Sequence, residues 1–179
     1  MSVSSGGVPR STIESRDRKR VQDGYPTHEE VRALLHRATL ALDRDERELI
    51  DYNVHEQALG FRIGLFLANA IERPDSKLRV DSEYDREGTE PKVILREGRI
   101  GKRPDLVIHV RGNNESNLLA VEIKKSIKAL KDDRERLRAL QSHPFHHHAA
   151  VLLILGATPQ WQWIGTDPEL TEIPCEQEL

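Results

Sequence analysis

Asp105, Glu122 and Lys124 are the residues of this chain most able to do chemistry. They stand in or beside two otherwise apolar runs, Arg103-Pro104-Asp105-Leu106-Val107-Ile108-His109-Val110 and Leu118-Leu119-Ala120-Val121-Glu122-Ile123-Lys124. Burying a carboxylate or an ammonium costs on the order of several kcal/mol unless it is paired or bound to a metal. Two carboxylates that converge suit Mg²⁺ or Mn²⁺, a hard cation that takes oxygen ligands and keeps part of its water shell. Such an ion polarises a phosphoryl oxygen and acidifies a bound water. Lys124 beside that water would position it, help activate it, or stabilise charge building on phosphorus.

The elements must bring these groups together. Strand side chains alternate faces, so Ala120, Glu122 and Lys124 share one face, as do Asp105, Val107 and His109. The polar, turn-rich link over 111–117 reads as a hairpin loop. Antiparallel pairing of the two runs then lets Asp105 and Glu122 meet on one ion. A helix is expected over Val54 to Ile71, because Leu59, Ile63, Leu67 and Ala70 recur at helical spacing. Glu56 heads that apolar stripe, and two readings stand: a carboxylate turned toward the ion, or a first-turn acid favoured by the helix dipole. Glu83, on the strand-like run 78–84, is a further candidate, with a solvated strand end as its alternative.

The pattern Pro104-Asp105, sixteen residues, then Glu122-Ile123-Lys124 resembles the signature of the PD-(D/E)XK nuclease superfamily. The phrases Val80-Asp81-Ser82-Glu83-Tyr84 and Asn117-Leu118-Leu119-Ala120-Val121-Glu122-Ile123-Lys124-Lys125 resemble an uncharacterised bacterial group within it. The resemblance covers roughly residues 50–165. It implies an α/β (α+β) fold with a restriction endonuclease-like core: a central mixed sheet flanked by helices, in the order α-β-β-β-α-β. It implies metal ligands at Asp105 and Glu122, the Ile123 carbonyl as a third, a catalytic Lys124, and a glutamate from the first core helix, matching Glu56.

At 179 residues the chain is expected to form one domain over 26–165, with an arm over 1–25 and an acidic tail over 166–179. A single cysteine, Cys175, excludes a disulfide framework and a cysteine-rich zinc site. No apolar run approaches a membrane span and no signal-like stretch opens the chain, so a cytoplasmic location without membrane contact is the expectation. Aromatic residues make up only 4%, which disfavours base-stacking platforms as the main binding device. A net charge of −3 argues against a sequence-blind nucleic-acid coat. It leaves room for local contacts to phosphate from Arg103, Lys125 and their neighbours Arg96, Arg99, Lys102, Lys128 and Lys131. His109 reads either as a residue behind the metal or substrate or as a hydrogen-bonded core histidine. Adjacent His146, His147 and His148 cannot all aim at one ion from a strand, so packing or a loop role is expected.

Thr27-His28-Glu29-Glu30 reads as a capping box opening an amphipathic helix to about residue 45. Residues 85–102, rich in Gly, read as a loop with one short strand around Val93-Ile94-Leu95 and a flap over substrate. After a helix carrying Leu130, Leu137 and Leu140, Ala149 to Leu155 reads as a buried central strand and Trp161 to Ile164 as the last one. The leading expectation is a Mg²⁺- or Mn²⁺-dependent nuclease acting on DNA, as a homodimer if it cuts both strands. The alternatives are a binding or scaffold module of the same fold without the reaction, and a hydrolase of RNA, a nucleotide or another phosphoester.

Overall fold

The structure, a computed structural model, describes residues 24–72, 76–84, 103–112, 116–128, 130–142 and 145–165, with the backbone pairing of four short segments between 86 and 100. Helix α1 (His28–Asp45) opens with the expected capping box: the Glu30 N–H donates to Thr27 Oγ1 at 3.2 Å, and the Thr27 N–H to Glu30 Oε2 at 2.7 Å. Val31, Leu35, Ala38 and Leu42 form its buried stripe. The charged stretch after it both extends and turns: α1 ends at Asp45 with Glu46 as its C-cap, and the short α2 (Arg47–Asp51) follows. Helix α3 (Glu56–Ile71) is capped by His55, whose Nδ1 accepts from the Gln57 N–H at 3.3 Å. It buries Leu59, Ile63, Leu67 and Ile71, with Gly60 and Gly64 on the same side.

Five strands form one mixed sheet: β1 (Arg79–Ser82), β6 (Leu106–His109), β7 (Leu119–Lys124), β8 (Ala149–Leu155) and β9 (Pro159–Ile164), in the spatial order β1-β6-β7-β8-β9. The β1–β6, β6–β7 and β8–β9 pairs are antiparallel, and β7–β8 is parallel. The parallel step requires a crossover, supplied by α4 (Lys131–Gln141). Taking only the main-sheet strands and the helices packed on them, the chain runs α1, α3, β1, β6, β7, α4, β8, β9.

The sheet separates two cores. On one face α1 and α3 pack against Leu106, Ile108, Leu119, Val121, Ile123, Val151, Leu153, Trp161 and Trp163. On the other, Leu137 and Leu140 of α4 meet Ala120, Ala150, Leu152, Ile154 and Ile164. Because β8 is covered on both sides, all seven of its residues are buried, which explains its unbroken apolar run.

Two expectations change. The run 78–84 is not strand throughout: β1 stops at Ser82, and Glu83 turns left-handed with φ 47°. Between β1 and β6 the backbone makes two small antiparallel ladders rather than one short strand. They are β2 (Arg86–Glu87) with β3 (Glu90–Pro91) and β4 (Leu95–Arg96) with β5 (Arg99–Ile100). Of the expected arm over 1–25, residues 1–23 lie outside the described residues, as do Lys102 and the tail over 166–179. No described helix is long and apolar enough to cross a membrane.

Candidate active site

β6 and β7 pair antiparallel with Leu106 opposite Val121 and Val107 opposite Ala120. One step further along that register stand Asp105 and Glu122, on the α4 side of the sheet. Cross-strand neighbours of this kind have their Cβ atoms about 5 Å apart. Asp105 is 5% exposed and Glu122 is fully buried. Asp105 Oδ2 accepts the Ile123 N–H at 2.6 Å. The N–H and C=O of a strand residue face the same neighbouring strand, so the Ile123 carbonyl opens toward Asp105 as well.

Lys124, on the same face of β7 as Glu122, donates from Nζ to Glu122 Oε1 at 2.8 Å. Its ammonium also lies 3.6 Å from Glu56 Oε2 and 4.0 Å from Asp133 Oδ1. Glu56 reaches this point because α3 lays its first turn across the end of β7, where Gly60 packs against Ile123. Of its two readings, the dipole-favoured first turn describes where Glu56 sits, and that position still brings its carboxylate to Lys124.

Two residues of α4 complete the cluster. Arg136 Nη2 lies 3.4 Å from Glu122 Oε1 and is salt-bridged to Asp133. Sequence reasoning missed both. The available signal was spacing: Asp133, Arg136, Leu137 and Leu140 lie on one helical stripe, and two of them are the buried leucines.

Burial raises the Glu122 carboxyl above the usual glutamate range and the negative charge of Asp105 adds to this, while Lys124 and Arg136 pull against it. For Lys124 burial works against the ammonium, but the hydrogen bond and charge of Glu122, with Asp133 and Asp105 behind it, leave its pKa above that of an ordinary lysine. The Lys124 ammonium is thus held among carboxylates, with Glu122 as its nearest partner.

Glu122 Oε2 is buried and has no hydrogen-bond partner among the described residues, although an ionised carboxylate has about four acceptor positions to fill. The cluster holds the carboxylates of Asp105, Glu122, Glu56 and Asp133 against the cations of Lys124 and Arg136. The formal excess is two negative charges, which one divalent cation would balance. Among the described residues no group of three or more His, Cys, Asp or Glu is arranged to hold an ion directly. A fitting ion would therefore take Asp105, Glu122 and the Ile123 carbonyl, and fill its remaining positions with water. That is the habit of Mg²⁺.

The other candidates fall into different places. Glu83 accepts from Gln57 Nε2 at 2.5 Å, and its own N–H donates to the Asp105 carbonyl at 3.1 Å. Ser82 Oγ donates to the same carbonyl at 3.1 Å. Glu83 thus ties the end of β1 to both α3 and the Asp105 backbone. A left-handed conformation costs a non-glycine residue about 1–2 kcal/mol, so these contacts hold it there. Lys125 points to the opposite face, where Nζ donates to the carbonyls of Asn53 and Val54 at 3.3 and 3.2 Å and secures the loop entering α3. His109 is buried at the far end of β6; its Nε2 lies 2.8 Å from Asp81 Oδ2, and Tyr84 packs edge-on against its ring. This is the hydrogen-bonded core reading. Arg103 is exposed just before Asp105. His146 is exposed, His147 is buried, and His148 meets the His28 ring edge-on. Comparison with protein-family models, with curated proteins and with solved structures finds no match to this chain.

Proposed function

We propose that this protein is a metal-dependent phosphodiesterase of the PD-(D/E)XK type that hydrolyses nucleic acid, DNA foremost. One observation carries the reading: a fully buried carboxylate, Glu122, keeps one oxygen without a partner among the described residues while facing a second carboxylate, Asp105. Such an arrangement is costly alone and favourable around a cation. The resemblance of Asp105 and Glu122-Ile123-Lys124 to the superfamily signature supports it, as does the α-β-β-β-α-β order of α3, β1, β6, β7, α4 and β8 around a mixed sheet.

In this reading Asp105, Glu122 and the Ile123 carbonyl would hold Mg²⁺ or Mn²⁺, and the ion would supply Lewis acidity to the phosphate and make the attacking water more acidic. Lys124 keeps its proton and donates to the attacked phosphate or its water, stabilising negative charge as it grows. Glu56 and Asp133 orient the Lys124 ammonium. Glu83 and Ser82 fix the Asp105 backbone, and Lys125 fixes the loop that presents Glu56.

The test is cleavage of plasmid, single-stranded DNA and RNA with Mg²⁺ or Mn²⁺, with Asp105→Ala and Lys124→Ala as controls. Metal-dependent cutting that both substitutions abolish is the expected result; equal activity in the variants would discard the assignment. A second reading draws on the pairing of Glu122 Oε1 with both Lys124 and Arg136: a self-neutralised ionic cluster in a binding module without catalysis. That reading requires that no divalent cation bind and that no substrate be cut.

A further inference from the structure

The guanidinium of Arg136 is the group in this cluster that the reaction above leaves unused. Its side chain is only 13% exposed. It is anchored one helical turn back by Asp133 on α4, and it reaches Glu122 Oε1 at 3.4 Å, where Lys124 is already bound at 2.8 Å. Among the described residues one carboxylate oxygen therefore takes two cations while its twin, Oε2, takes none. Arg136 Nε is also buried and without an acceptor among them. A buried donor and a buried acceptor left unfilled in one cluster each lose the hydrogen bonds that water would have given them. Nε and Nη2 together form the edge of a guanidinium that grips two phosphate oxygens at once.

Resting on the phosphodiesterase reading, we infer that Arg136 is a substrate-binding residue that exchanges partners: it holds Glu122 while the carboxylate pair is without a divalent cation, and grips a non-bridging phosphate oxygen once the cation is loaded. Charge drives the exchange. A divalent cation on Glu122 withdraws the charge that Arg136 was neutralising, and an arriving phosphate restores a partner beside the ion. Asp133 stays bound throughout and keeps the guanidinium over the site. Arg136 thus competes with the cation in the empty protein and assists the anion in the loaded one.

The experiment uses the full chain and the variants Arg136→Gln and Arg136→Lys. Calorimetric titration with Ca²⁺ reads cation affinity, binding of a labelled DNA duplex in Ca²⁺ reads substrate affinity without turnover, and thermal melting reports folding. For Arg136→Gln the expected result is Ca²⁺ affinity raised severalfold and duplex affinity lowered roughly tenfold. Arg136→Lys keeps the charge without the two-pronged edge and recovers only part of the duplex affinity. Opposite effects on cation and duplex are the signature, since a residue that merely braced α4 would weaken both or neither. Unchanged Ca²⁺ and duplex affinities in Arg136→Gln, with or without a lower melting temperature, overturn this inference and leave the phosphodiesterase reading intact. Failure of the unsubstituted chain to bind Ca²⁺ overturns both.

Discussion

At the scale of single residues, burial pushes the Glu122 pKa up and the Lys124 pKa down, yet both end raised because the carboxylates around Lys124 outweigh its burial. Glu122 keeps its proton to higher pH in the folded chain than in the unfolded one. In the interval just above the usual glutamate range the folded state therefore binds more protons, and stability falls as pH rises through it. A cation requires the deprotonated carboxylate, so its affinity climbs over the same interval. Calorimetric titration of Mg²⁺ from weakly acidic to neutral pH is expected to show that climb, and melting curves of the metal-free protein the opposing fall. Glu122→Gln is expected to flatten both profiles; a cation affinity independent of pH would remove Glu122 from the ligand set. Lys124 holds its proton more firmly than an ordinary lysine because Glu122, Asp133 and Asp105 surround it. Lys124→Met is accordingly expected to lower kcat about a hundredfold or more while Mg²⁺ affinity, read by calorimetry, is retained. A parallel loss of cation binding would make Lys124 a support for Glu122 rather than a partner of the substrate.

At the scale of elements, α3 is the positioning device. It lies close on the sheet because Gly60 and Gly64 leave room: a Cβ at Gly64 would stand 3.1 Å from Leu106 Cδ2, and one at Gly60 3.4 Å from Ile123 Cδ1. The first contact is tight and the second ordinary. Gly60→Ala is expected to be neutral or to stabilise by up to about 1 kcal/mol, since alanine favours helix over glycine. Gly64→Leu should push α3 away from β6 and cost about 1–3 kcal/mol. It should also lower activity, because Glu56 moves with the helix. Urea midpoints and cleavage rates of the two variants check this pair, and comparable destabilisation by both would mean that α3 is not seated as described. The spacing of Leu59, Ile63 and Leu67 made the helix itself legible. The glycines revealed nothing until the strand beneath them was in view, because a missing Cβ has meaning only against a neighbour.

At the scale of the molecule, the sheet separates a face sealed by apolar packing from one where an apolar core adjoins an ionisable cluster. One face is sealed by α1 and α3; the other carries Asp105, Glu122 and Lys124 beside α4. Binding a ligand to the folded chain alone stabilises it by mass action. Mg²⁺ at a hundred times its Kd is expected to raise the melting temperature by roughly 5–10 °C for a chain of this size. The Asp105→Asn variant should show no such rise. A melting temperature indifferent to Mg²⁺ in the unsubstituted chain would favour the self-neutralised cluster over the catalytic reading. Period-two alternation by itself determined that Glu122 and Lys124 share a face, because a strand's geometry is local, and the unbroken apolar run from Ala149 to Leu155 determined that β8 is buried on both faces. It did not reveal Asp133 and Arg136, nor that Glu83 leaves the strand, turns left-handed and joins Gln57. Those depend on a helix and a turn arriving from elsewhere in the chain, and the energy of such meetings lies in contacts between residues far apart in order. Only the tertiary structure could decide them.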